Sequence, residues 1–210
     1  MRFTSLLMVI LFSLTCIFNL EGQEATANKV LMERFLDAQF APANQVTASQ
    51  FFDHMAPEMG LAPGNKMEAT VTVPGFNGYE HKRYRQYYKE LPVIGTNYVL
   101  HIKDGLVTSA SGSYGPNISI DATPALGTNE AKSKARLAIQ GMLKTKSNHM
   151  TPTQIVANGV PILSVIDRAY PDKSGSYTTA YDVTLTSQQP FDKRRVIIDA
   201  VSGSVISNRS

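Results

Sequence analysis

The chain has 210 residues, 43% of them apolar, and a formal net charge of +3. That is enough apolar material for a packed core and too much for a disordered tail. The 20 Lys and Arg are scattered along the chain, which argues against a nucleic-acid footprint. The single cysteine, Cys16, lies in an apolar N-terminal run, so the rest carries no disulfide, thiol nucleophile or cysteine-based zinc site.

Residues 1–27 have the pattern of a secretory signal. Arg2 is followed by a mostly apolar stretch from Leu6 to Leu20 and by Ala25-Thr26-Ala27. The apolar stretch is short and interrupted, which disfavours a membrane span. Cleavage is expected before Asn28, with a cut before Gln23 as the alternative. A lipid anchor on Cys16 and an uncleaved anchor fit less well. The mature chain is then secreted or periplasmic, without membrane contact after cleavage. A cysteine-free exported chain is commoner in bacteria. The sequons at Asn117 and Asn208 are short enough to arise by chance.

Val30, Leu31, Phe35, Leu36 and Phe40 recur at helical spacing and predict a helix ended by Ala41-Pro42-Ala43. Ser49 is a candidate cap for a second helix carrying Phe51, Phe52 and Met55. Met67 to Pro74 alternates as a half-buried strand. Lys82 to Lys89 predicts a strand with Arg83, Arg85 and Tyr87 on one face and Tyr84, Gln86 and Tyr88 on the other. Pro92 puts a bend at Leu91 to Gly95. Asn97 to Ile102 and Leu106 to Ser111 flank Asp104-Gly105, a strong hairpin signal.

Asn117 to Asp121 predicts a short strand or linker. Thr128 caps a predicted helix from Asn129 to Leu143, with Ala131, Ala135, Leu137, Ala138 and Met142 on its buried side. Residues 144–160 have little pattern beyond Ile155-Val156. Strands follow at Ile162 to Tyr170, Thr178 to Thr186, Arg194 to Ala200 and Ser204 to Ile206. The fold class is α+β: two small units, each an antiparallel sheet packed on one or two helices in a cystatin-like architecture. The expected boundaries are a leader at 1–27 and units at 28–116 and 117–210.

No catalytic set is visible. The four histidines form no H-E-x-x-H frame, and there is no G-x-S-x-G elbow, P-loop or dinucleotide fingerprint. His81 and His101 can meet across neighbouring strands. A paired strand histidine is more often structural than metal-ligating, so no metal or cofactor is expected. Asp182 and Asp199 lie on separate strands, and Asp199 fits a turn-ordering role in Asp-Ala-Val-Ser-Gly.

The stretch from His81 to Gly112 resembles the propeptide of thermolysin-family and fungalysin-family secreted metallopeptidases. The resemblance is carried by His81, Arg83, Gln86, Tyr88, Pro92, Val93, Gly95, the run Tyr98 to His101, Asp104-Gly105 and Val107. Glu90 departs from it, standing where that pattern usually has glycine. The second half is similar to the PepSY-type domain that commonly follows, through Glu130-Ala131, Ala135, Tyr181-Asp182-Val183 and the ending with Asp199 and Gly203.

In such precursors the zinc peptidase domain follows that last turn, and here only a few residues do. The resemblance therefore implies a non-catalytic inhibitor or folding chaperone of a thermolysin-type metallopeptidase, its partner. The alternatives are a truncated precursor or remnant and an extracytoplasmic binding module. An exposed edge strand, and the polar tail after Gly203 lying in a substrate cleft, are the expected means of contact. His81, Arg83, Gln86, Tyr88, Pro92, Val93, Gly95, His101, Asp199 and Gly203 are the candidate motif or partner-binding residues.

Overall fold

The computed structural model describes residues 23–146, 154–189 and 191–210. Most of the expected leader and residues 147–153 of the unpatterned loop lie outside these. Helix α1 (residues 23–34) leads into strand β1 (Asp37–Gln39) and helix α2 (Phe51–Met59). Strands β2 (Asn65–Pro74), β3 (Tyr79–Tyr88), β4 (Leu91–Pro92), β5 (Asn97–Lys103) and β6 (Leu106–Ser113) follow. The second half comprises α3 (Thr128–Lys146), β7 (Val156–Ala157), β8 (Ile162–Asp167), β9 (Tyr177–Gln188), β10 (Phe191–Asp199) and β11 (Val205–Arg209).

Two antiparallel sheets result, giving an α+β fold. The first has the order β1-β6-β5-β3-β2, with β4 also paired to β3. The second runs β11-β10-β9-β7, with β8 also paired to β9. One face of the first sheet is sealed by Phe35, Phe51, Met55 and Met59 over Tyr84, Tyr98, Leu100 and Val107. One face of the second is covered by Ala131, Ala135, Ile139 and Leu143 of α3. Each large apolar side chain removed from water in this way contributes about 2 kcal/mol.

Three helices differ from their predicted form. The helix expected over Val30 to Phe40 ends at residue 34, and Asp37–Gln39 pairs with Ser109–Ser111 of β6. The free edge of β6 recruits this segment, so tertiary pairing overrides the helical spacing. Asn28, Met32 and Phe35 are the buried positions, while Val30 and Leu36 are exposed. In α3 the buried stripe is Ala131, Ala135, Ile139 and Leu143, with Leu137 66% exposed. Ser49 does not cap α2: the cap position is Gln50, with no side-chain hydrogen bond. The helix closes on Gly60 at φ 65, the left-handed exit that glycine allows.

Two strand details also differ. Beyond Glu68, β2 is exposed on both faces, because it is the outer strand. In β6 the register shifts opposite His101 and Ile102. Thr108 is the extra residue of this bulge, so Val107 and Ala110 both reach the core. Of the two forms expected for residues 117–121, the structure has the linker, whose Ile118 is 1% exposed. The segment after Gly203, expected as a final strand from Ser204 and as a polar tail for a substrate cleft, is β11, held against β10 from Arg195↔Arg209 to Ile198↔Val205.

Candidate functional site: a buried clamp and an open sheet face

Alternation along β3 divides the candidate residues. Tyr84, Gln86 and Tyr88 point to the core, whereas His81, Arg83 and Arg85 point to the uncovered face. Gln86 is fully buried. Its Nε2 donates to the carbonyl of Gly115 at 2.7 Å and to Oδ1 of Asn65 at 2.8 Å. Its Oε1 accepts from the Gly115 N–H at 2.7 Å. The side-chain amide thus pairs with the backbone of the linker leaving the first sheet, which satisfies its buried polar atoms.

Tyr88 holds the same linker one step on. Its hydroxyl donates to the Ile120 carbonyl at 3.1 Å. Between Tyr88 and Leu91 the chain reverses through Lys89 and Glu90, at φ 46 and 64. Glu90 therefore occupies a left-handed position, which is the physical reason glycine suits it. Pro92 pairs with Tyr87, its missing N–H tolerated in the short strand β4. Val93 is 3% exposed and bridges to Val165 of β8 in parallel. The next N–H, of Ile94, donates to the Val165 carbonyl at 2.8 Å. Tyr88, Val93, Ile118, Val165 and Tyr177 form one cluster joining the two sheets. Gly95 sits at φ 82, where an added Cβ would lie 3.2 Å from the Tyr170 ring.

Asp199 and Gly203 belong to the turn between β10 and β11. Asp199 Oδ1 accepts from the N–H groups of Val201 and Ser202, both at 2.8 Å. Its Oδ2 accepts from the Thr178 hydroxyl at 3.2 Å. Burial pushes its pKa up, but these hydrogen bonds together outweigh it and hold the carboxyl below its ordinary range. Gly203 closes the turn at φ 75, its N–H bonded to the Asp199 carbonyl at 2.9 Å.

His81 and His101 meet on the open face, their Nδ1 atoms 2.7 Å apart. One ring must donate and the other accept. His101 Nε2 is 2.9 Å from the Ser111 hydroxyl, which supplies whichever role remains. Among the described residues, no third His, Cys, Asp or Glu completes a metal-sized group with them. Burial first, then the charge of His81, lowers the pKa of His101, and Asp37 partly offsets this. The folded state therefore resists a proton that the unfolded chain accepts near pH 6.5. Stability is complete above that pH and is lost as pH falls through it towards the folded pKa. Urea midpoints should drop between about pH 7.5 and about pH 5.5. The drop should be smaller in His101→Gln, and an equal drop in that variant would contradict the assignment.

Arg83 is exposed, and neither it nor Arg85 has an ion pair among the described residues. The structure thus brings His81, Arg83 and His101 together on one face. Gln86, Tyr88, Pro92, Val93 and Gly95 gather at the junction between the sheets, and Asp199 and Gly203 lie apart from both groups.

Three residues of that junction had no sequence signal. Asn28, 5% exposed, donates to the Gly175 carbonyl and accepts from Asn117 Nδ2, both at 2.8 Å. Asn117, at a left-handed φ of 51, is thereby engaged at the atom a glycan would need. Asp167 accepts from Ala169, Ser174 and Gly175 N–H groups and from the Ser174 hydroxyl, at 2.7–2.9 Å. Asn28 lies in α1 with partners 147 and 89 residues away, whereas Asp167 ends β8 and orders the segment just after it; a single Asn or Asp carries no sequence hint of either role.

Comparison with known proteins adds the following. No curated protein matches the chain. Among solved structures the Bacillus megaterium YpeB C-terminal domain is similar at 10% identity and a TM-score of 0.38, covering 84% of this chain and 68% of that one. Residues 66–114, the segment that forms β2 to β6, match the Fungalysin/Thermolysin Propeptide Motif.

Proposed function

We propose that the chain is a propeptide-type, non-catalytic protein that binds a thermolysin- or fungalysin-type zinc peptidase, inhibits it and assists its folding. The observation that carries this reading is the match of residues 66–114 to the propeptide motif. The matched segment makes an uninterrupted antiparallel run of strands rather than a cluster of reactive groups. Inhibition of this kind needs a rigid complementary surface, and the Gln86 clamp and the junction cluster supply rigidity. The reading extends to two units, residues 28–116 of propeptide type and 117–210 of PepSY type, working outside the cytoplasm.

The test is to incubate the purified chain with thermolysin-type and fungalysin-type peptidases and measure residual activity and the refolding yield of the denatured enzyme. Inhibition, or a higher refolding yield, is expected at micromolar concentration. No effect on any of them sinks the reading. Arg83→Ala should weaken inhibition about tenfold, in the range of an interface arginine. Its melting temperature should move by no more than about 2 °C, because the side chain is exposed. A large loss of melting temperature would instead make Arg83 a structural residue.

A further inference from the structure

The ladders place the uncovered face of the first sheet in two transverse rows. Val73, His81, His101, Ser109 and Gln39 stand opposite one another across five strands. Val71, Arg83, Val99, Ser111 and Asp37 form the adjacent row. Arg85 follows on β3, opposite Glu68. Val71 is 47% and Val73 42% exposed, and Phe76, just beyond β2, is 93% exposed. No described helix packs here, since Phe35 and the residues of α2 lie on the other face.

Charge on this face is one-sided. Arg83 and Arg85 have no ion pair among the described residues, and Lys103 lies over the Tyr79 ring at 5.2 Å. Of the acidic groups, Glu68 is already paired with Lys66 at 2.7 Å, which leaves Asp37 at the far edge. Exposed valines on an outer strand are an association hazard that a folded protein ordinarily blunts. Here they flank unpaired guanidiniums, and arginine is a residue that protein interfaces favour.

We infer that this face is the docking surface for an acidic, partly apolar patch on the partner peptidase, with Arg83 and Arg85 meeting carboxylates and Val71 and Val73 meeting apolar side chains. The inference rests on the function proposed above. It adds which surface is used and what chemistry it selects. The pairing is electrostatic in part, so affinity falls with salt. An anionic lipid surface would also attract such a face, but two flat rows of single side chains lack the deep apolar wedge that holds a protein in a bilayer interface.

The experiment measures binding of the full chain to an immobilised peptidase that it inhibits, with Arg83→Glu/Arg85→Glu as the main variant. Lys193→Glu, an exposed change on β10 of the second sheet, is the control. The double variant should bind at least about tenfold more weakly, with Lys193→Glu unchanged and wild-type affinity falling as salt is raised. Circular dichroism and melting report whether the variants fold. If the double reversal unfolds, Arg83→Gln/Arg85→Gln replaces it, and weaker binding is still expected.

Wild-type binding with either folded double variant unimpaired overturns the surface while leaving the proposed function standing. Absence of both inhibition and a refolding gain by the wild-type chain with every peptidase removes the proposed function itself, and the surface inference with it. Wild-type binding to vesicles of phosphatidylglycerol and phosphatidylcholine, lost in the double variant, with equal peptidase binding by wild type and variant, also overturns the inference.

Discussion

Gln86→Ala is expected to lower the unfolding free energy by about 3 kcal/mol, the cost of stranding buried amide partners and opening a small cavity. Three hydrogen bonds disappear, two of them to the backbone of Gly115. The Gly115 N–H and C=O, both buried, then lose the Gln86 amide as their partner. For a chain of this size the melting temperature should fall by roughly 6–12 °C. Gln86→Glu should fare as badly, since it keeps the shape but replaces the Nε2 donor with a second acceptor. Tyr88→Phe makes the contrast: it loses the hydroxyl's two longer bonds to the part-buried Ile120, one given to the carbonyl and one accepted from the N–H, and should cost about 1.5 kcal/mol. Equal losses in Gln86→Ala and Tyr88→Phe would show that the clamp is not what holds the linker.

Gly112→Ala should be more damaging still, at about 4 kcal/mol, the range of severe backbone strain. Gly112 sits opposite Tyr98 in the β5–β6 ladder at φ 118. An added Cβ would lie 2.1 Å from the Asn97 carbonyl oxygen and 3.1 Å from the Tyr98 Cα. Both are backbone atoms of the neighbouring strand, so neither can turn away as a side chain would. The strands must separate beside Tyr98, whose ring is fully buried and whose hydroxyl donates to the Phe35 carbonyl. Gly78→Ala is the control. It shares a positive φ, 78, but has nothing within 4 Å of the added Cβ, and it should cost only about 1 kcal/mol. Urea titration at constant slope measures both. A small loss in Gly112→Ala would mean that the two strands are not held as tightly as described.

The first sheet was legible because its signals are local. Alternation along Lys82 to Lys89 sorts Gln86 from Arg83, and Asp104-Gly105 sets the hairpin. What escaped depends on partners distant in sequence. The spacing of Val30 to Phe40 reads as a helix until the free edge of β6 is present to pair with Asp37–Gln39. Leu137 fits the expected helix face as well as Ile139 does, and only the second sheet distinguishes them. The bulge at Thr108 reverses which residues of β6 face inward, and nothing in Leu106 to Ser111 marks it.

The candidate residues follow the same division. His81 and His101 stand where neighbouring strands can bring them together, and their rings make direct contact. Gln86 and Val93 carry the motif resemblance but spend their polar and apolar groups inside the protein. Their place in the matched motif is accounted for by scaffold geometry, and on the proposed function recognition falls to the open face. Asn28 ties the first half to the second through Gly175, 147 residues away, and such closure has no local pattern to read.

The central claim is that a surface of this chain, rather than a reactive group, acts on a peptidase. Its most direct test is the residual activity of thermolysin-type and fungalysin-type peptidases titrated with the wild-type chain and with Arg83→Glu/Arg85→Glu. The account predicts saturable inhibition by the wild-type chain and a curve displaced by at least about tenfold for the folded variant. Full peptidase activity at every concentration of the wild-type chain, with no gain in refolding yield, would contradict it.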